Sequence, residues 1–114
     1  MIKTSAGRKL GRTGEHRRMM LANMATSLFL HERIQTTTPK AKELRGLVER
    51  LLTFARHGKR REVRRVIRDR MVFAKLFDVL VPRFAGRQGG HVSTIRVGRR
   101  PGDDAEVSLV RLVS

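Results

Sequence analysis

At 114 residues the chain is long enough for one compact domain with a modest core and too short for two. Apolar residues make up 39% but include neither Trp nor Tyr, so the core must be largely aliphatic; the lack of Cys excludes disulfides, thiolate metal sites and Cys nucleophiles, and suits a reducing cytoplasm. The 26 Lys and Arg against 10 Asp and Glu leave a formal charge of +16, a self-repulsion that a polyanion such as nucleic acid would relieve.

Only six of those cations are Lys, and the Arg bias matters because a guanidinium binds phosphate bidentately and stacks on exposed bases. An anionic membrane surface would instead favour one long helix with a basic and an apolar face, whereas the charge here is spread along the chain. The N-terminus lacks a signal-peptide apolar core, and no apolar run approaches the roughly 20 residues of a membrane span, so a soluble, unexported protein is expected.

Residues 1–12 carry Lys3, Arg8, Lys9 and Arg12 among small residues, with almost nothing to bury, and form an expected extended basic arm; a frayed terminus is the plainer alternative. Residues 13–114 are expected to be one domain. Thr13 is a candidate cap for a helix in which Met20, Leu21, Met24, Ala25 and Leu28 recur at helical spacing through about His31, with Met19, Met20 and Met24 as core filler. Arg17 and Arg18 fall in its first turns, where the helix dipole disfavours cations, so an external anion is one reason for them.

The β-branched stretch Arg33-Ile34-Gln35-Thr36-Thr37 predicts a short strand, and Thr38 before Pro39 predicts an N-cap followed by proline at the first helical position. Leu44, Leu47, Val48, Leu51, Leu52 and Ala55 then trace one face of a helix that Gly58 stops. Residues 59–70 hold seven cations against Glu62 and Asp69; Val63, Val66 and Ile67 give a narrow apolar stripe, and Arg61, Arg64, Arg65 and Arg68 line the opposite side of the expected helix, for phosphate contact or simple solvation.

Asp69 is a candidate cap for a core helix bearing Val72, Phe73, Leu76, Phe77, Val79 and Leu80, which Pro82 is expected to end. Gly86, Gly89 and Gly90 then form a turn among Arg83, Arg87 and Gln88, able to approach a phosphate closely or to serve as a plain connection. Val92 to Val97 and Val107 to Val113, joined by a turn that includes Arg99 and Arg100, predict a hairpin. The fold class expected is α+β: a single-domain helix-and-sheet sandwich in which the early strand joins the C-terminal β-hairpin in a small mixed sheet.

The four histidines, His16, His31, His57 and His91, lack zinc-site spacing and are expected at the surface or against nucleic acid. No nucleotide-binding glycine motif, nucleophile elbow or convincing carboxylate pair stands out, so no catalytic residue, metal or cofactor is expected. With aromatics scarce, phosphate contact and nucleic-acid shape should dominate over base stacking.

The blocks Gly7-Arg8-Lys9-Leu10-Gly11-Arg12, His16-Arg17, Asn23-Met24-Ala25 and Ile34-Gln35-Thr36-Thr37-Thr38-Pro39-Lys40-Ala41-Lys42-Glu43-Leu44-Arg45 resemble the family of protein seventeen of the bacterial large ribosomal subunit. Lys75-Leu76-Phe77, Pro82-Arg83-Phe84, Arg87, Gly89-Gly90 and Gly102-Asp103 continue the likeness in order and spacing. The resemblance implies a structural protein bound to large-subunit rRNA near the nascent-peptide exit, beside other ribosomal proteins, in a cytoplasmic or organellar ribosome, with no small-molecule substrate and no membrane. The chain departs from the family pattern at Met1 to Ala6, at His91, where an aromatic, usually Tyr, follows the paired glycines, and at Arg111, where an acid is common.

The expected RNA contacts are Arg8, Lys9, Arg12, His16, Arg17, Arg18, Lys40, Lys42, Arg45, Arg61, Arg64, Arg65, Arg83, Arg87, Arg99 and Arg100. A general DNA-coating protein, which the same charge would serve, and an RNA-processing enzyme are the alternatives.

Overall fold

The computed structural model describes residues 14–87 and 89–113. The arm over 1–12 and the Thr13 cap lie outside them. Helix α1 (Gly14–His31) buries Leu21, Ala25, Leu28 and Phe29, one stripe at helical spacing, while Met20 and Met24 pack at its edge. Met19 is a correction to the core expectation: it faces away from the stripe and is 62% exposed. Glu32 ends α1 in the left-handed region at φ 68°, its N–H donating to the Leu28 carbonyl at 2.7 Å.

This reversal feeds strand β1 (Arg33–Thr37) and then helix α2 (Thr38–Arg56). The helix begins one residue earlier than Thr38 capping would require: Thr37 occupies the N-cap and makes no side-chain cap bond, with Pro39 in the first turn. Thr38 is already helical and buried, and its hydroxyl shares a 2.8 Å hydrogen bond with Ser108 of the sheet. An inward-facing hydroxyl is better satisfied by that partner than by the helix end.

Ala41, Leu44, Val48, Leu51, Leu52 and Ala55 make up the buried face of α2. Leu47, expected with them, is only half-buried at the edge of the stripe. Gly58 terminates the helix as expected: at φ 72° it donates to the Ala55 carbonyl, and Lys59 donates to that of Phe54, the paired bonds of a Schellman ending.

Helix α3 (Arg60–Arg64) is shorter than the helix expected over 59–70. Val63 and Ile67 are fully buried, but the chain leaves the helix so that Asp69 can cap α4 (Arg70–Lys75), its carboxylate accepting from Val72 N–H at 3.0 Å. A π-helical turn (Leu76–Leu80) follows, then α5 (Val81–Arg83). Pro82 therefore does not end this element: it stands in the first turn of α5, where its missing N–H is tolerated, and the chain stays helical to Arg83. Val79 is 46% exposed and lies outside the apolar surface expected of it.

Strands β2 (Val92–Arg99) and β3 (Glu106–Leu112) form the hairpin. The expected α+β fold class is present, and β1 joins the hairpin as expected, but the order is β1-β3-β2 and both pairings are antiparallel, so the sheet is not mixed. The reason is that α2 carries the chain away from β1 and the last strand returns alongside it in the opposite direction. A bulge between Arg96 and Gly98 leaves Val97 out of register. Helix α2 packs against all three strands, and Ser108, Val110 and Leu112 of β3 face it by simple alternation. The opposite face of the sheet carries Arg33 directly across from Arg111.

Candidate nucleic-acid interface

The fold sorts the cations into those that brace the protein and those that face outward. The bracing set centres on acids. Glu32, held at the α1–β1 reversal, receives two hydrogen bonds from Arg83 at 2.7 and 3.1 Å and an ion pair from Lys75 at 3.0 Å. Those bonds, Arg83 first, hold its carboxyl down at about 2 and raise the Arg83 guanidinium in turn. Arg87 donates to the Gly90 carbonyl at 3.0 Å and closes its own loop. Arg100 grips Asp103 at 2.6 and 3.2 Å, holding that exposed carboxyl near 2, while Arg99 donates to the Asp104 carbonyl at 3.1 Å.

Two further arginines lie over rings. Arg64 sits 4.2 Å from the Phe73 centroid and Arg60 4.3 Å from that of Phe77, so α3 is tied to α4 and the π turn by cation–π contact. Arg65 makes only a loose 3.5 Å pair with Glu62.

Two hollows gather part of the outward charge, with some of the braced arginines in their walls. One, of about 520 Å³, lies between α1, α2 and the turn after α3; Arg17, Arg18, Lys42, Arg50 and Arg65 line it. Arg17 is fixed there by Glu43 at 2.8 Å, and among the described residues no acid pairs with Arg18, Lys42 or Arg50. The other, of about 390 Å³, is lined by Lys40 at the start of α2 together with Arg99 and Arg100 of the hairpin turn. Lys40 falls in the first turn of α2, which contains no acid to complement the helix dipole, and Lys42 follows in the next turn beside Glu43. His16, Arg45 and Arg61 are exposed outside both hollows, and Arg8, Lys9 and Arg12 lie outside the described residues.

Tertiary structure thus brings Arg17, Arg18, Lys42 and Arg65 together and sets Lys40, Arg99 and Arg100 in a second group, while Arg83 and Arg87 line neither hollow and serve as braces. Sequence reasoning missed Arg50 and Arg33. The i, i+4 and i, i+8 spacing from Lys42 through Gly46 to Arg50 was the available signal for Arg50, whereas Arg33 acquires meaning only from its cross-strand partner Arg111, since like charges paired this way repel unless an anion is near.

His91 is the clearest correction. Expected at the surface or against RNA, it is fully buried, edge-on to Phe84 at 5.1 Å, with Nδ1 2.7 Å from a Glu49 carboxylate oxygen and Nε2 3.3 Å from the Arg87 carbonyl. The other Glu49 oxygen accepts from Val92 N–H at 2.9 Å, so one acid anchors the start of β2 to α2.

Among the described residues no three His, Cys, Asp or Glu side chains converge as metal ligands, and no helix is long and apolar enough to cross a membrane. What the arrangement offers chemically is fixed positive charge.

A family model described as ribosomal protein L17 matches residues 20–113, from the middle of α1 to the end of β3. Large ribosomal subunit protein bL17 of Elusimicrobium minutum (strain Pei191) is 50% identical over 113 residues, covering 99% of each chain. The protein of the same name from Anaeromyxobacter dehalogenans (strain 2CP-C) is 54% identical over 110 residues, 94% of this chain and 68% of that one. With the match spanning the whole helix-and-sheet body and the cationic blocks on α1 and α2, the chain belongs to the ribosomal protein L17 family.

Proposed function

We propose that this protein is a structural constituent of the large ribosomal subunit that binds and stabilises large-subunit rRNA near the peptide exit, beside neighbouring ribosomal proteins, and performs no catalysis. The observation that carries the reading is the segregation of charge: acids are consumed in bracing Arg83, Arg100 and Arg17, while Arg18, Lys42, Arg45, Arg50 and Arg61 face outward without an acidic partner among the described residues. Such a surface repels itself, and counter-charge supplied from outside relieves that repulsion. The names of the relatives support the large subunit as its source.

Binding is then mainly phosphate neutralisation. The arm residues Arg8, Lys9 and Arg12 add contacts from outside the folded body, and the α2 set adds contacts that folding has already positioned. A tagged copy should sediment with large subunits in a sucrose gradient, and its affinity for large-subunit rRNA fragments should fall with salt, by up to about 0.9 in log affinity per log salt for each phosphate neutralised. Sedimentation apart from large subunits, or equal affinity for rRNA fragments and duplex DNA at matched salt, would sink the reading and favour a general nucleic-acid coat.

A further inference from the structure

Phosphate binding needs charge but no hollow, and the groove between α1 and α2 has both. Its cationic rim surrounds an apolar floor of Leu21, Ala22, Leu47 and Val66, in a volume of about 520 Å³. That is the size class, roughly 300–1,000 Å³, in which sites for small organic ligands fall. We infer that this groove takes up a single unstacked nucleotide of the bound RNA, with its base on the apolar floor and its flanking phosphates on Arg18, Lys42 and Arg50. The inference rests on the RNA-binding reading and adds to it a specific mode of capture.

Two observations apart from the volume favour that occupant. Arg17 lines the groove with its guanidinium fixed by Glu43, yet its Nε is buried and has no hydrogen-bond partner within the protein. A buried donor left unmade is costly, and a small shift of the Arg17 side chain toward the groove would let an acceptor on a base edge or ribose satisfy it. Gly46 also lines the groove, on the face of α2 shared by Glu43, Leu47 and Arg50. Nothing lies within 4 Å of the place its Cβ would occupy, so packing inside the protein does not require a glycine in mid-helix. A glycine there lowers helix stability but keeps the wall open for a ligand to approach the backbone.

A protein side chain from a neighbour could fill an apolar hollow, but five lining cations against the single acid Glu43 complement a polyanion better.

The test uses the full chain and two RNA hairpins with the same stem, one carrying a single bulged 2-aminopurine nucleotide and the other fully paired, at matched salt. The bulged hairpin should bind about tenfold more tightly, with a change in 2-aminopurine fluorescence on binding. Gly46→Leu should bring the two affinities together while raising the melting temperature, because leucine is the better helix former and extends from the groove wall. Leu47→Gln, which makes the floor polar at a half-buried position, is a second variant that should lower the same ratio. Equal affinity of the wild-type chain for both hairpins overturns the nucleotide site, leaves electrostatic RNA binding standing and assigns the hollow to a protein partner. A preference undiminished in both variants also overturns it. Failure to bind either hairpin at low salt sinks the RNA-binding reading, and the site with it.

Discussion

Glu49 holds two donors at once, the His91 ring at 2.7 Å and the Val92 backbone N–H at 2.9 Å, so its removal leaves both buried without a partner. Each buried donor left unmade costs about 1–3 kcal/mol, and Glu49→Ala should therefore lower stability in urea denaturation by more than any exposed Glu→Ala change, such as Glu15→Ala. His91 has an oxygen beside each ring nitrogen, Glu49 on one side and the Arg87 carbonyl on the other, so the ring is held from both ends. Glu32 makes a different prediction. Arg83 and then Lys75 hold its carboxyl down from 4.5 to about 2, so the charged form is the one the fold favours. Its contribution is complete above about pH 4.5 and disappears as the pH falls toward 2. Because the side chain is 35% exposed, solvent screening limits the effect to about 1 kcal/mol or less. Wild type and Glu32→Gln should differ in melting temperature at pH 6 and converge near pH 2; a gap independent of pH would show that the ion pairs do not stabilise the reversal.

At the scale of elements, α2 is the axis of the molecule, and its two apolar edges behave differently. Leu51 is 2% exposed in the core, and Leu51→Ala should cost about 2–5 kcal/mol by loss of burial and cavity formation. Leu47 lies half-buried on the groove floor, so Leu47→Ala should cost clearly less and should reduce RNA affinity more than Leu51→Ala does at temperatures where both are folded. Equal destabilisation by the two changes, measured by thermal melting, would return Leu47 to the core. Helix α3 shows why charge pattern alone misjudges an element. Arg60 and Arg64 lie over Phe77 and Phe73, so part of what the sequence offered as a solvated or phosphate-facing side is a packing contact.

For the whole molecule the question is how a body of formal charge +16 remains folded before it meets its partner. Acids are placed where they brace joints: Glu32 at the α1–β1 reversal, Glu49 at the start of β2, Glu43 between the two long helices, Asp103 in the hairpin turn. Each of these braces lies within residues 14–113, and the basic stretch over 1–12 carries almost nothing apolar to bury. Deleting those residues should leave the melting temperature nearly unchanged, reduce the salt dependence of rRNA binding, and lower incorporation into large subunits in competition with the full-length chain. Wild-type incorporation would make that stretch a frayed terminus only.

The periodicity of α2, the Gly58 stop, the Asp69 cap and the two strands of the hairpin were all legible in the sequence, because each depends on spacing and on residues whose backbone preferences are local. The expectation of a polyanionic partner likewise came from the sequence alone, since net charge and an Arg-rich composition do not depend on the fold. Three things were decided only by tertiary structure. The central place of β3 and the antiparallel course of the sheet follow from how α2 returns the chain, which no local pattern records. The burial of His91 follows from the meeting of Glu49, Phe84 and Arg87, which come from separate parts of the chain. Which arginines brace and which remain outward depends on where the few acids land once the chain is folded; an ion pair between residues 51 positions apart, as in Arg83 with Glu32, is a property of the packed molecule and not of either segment.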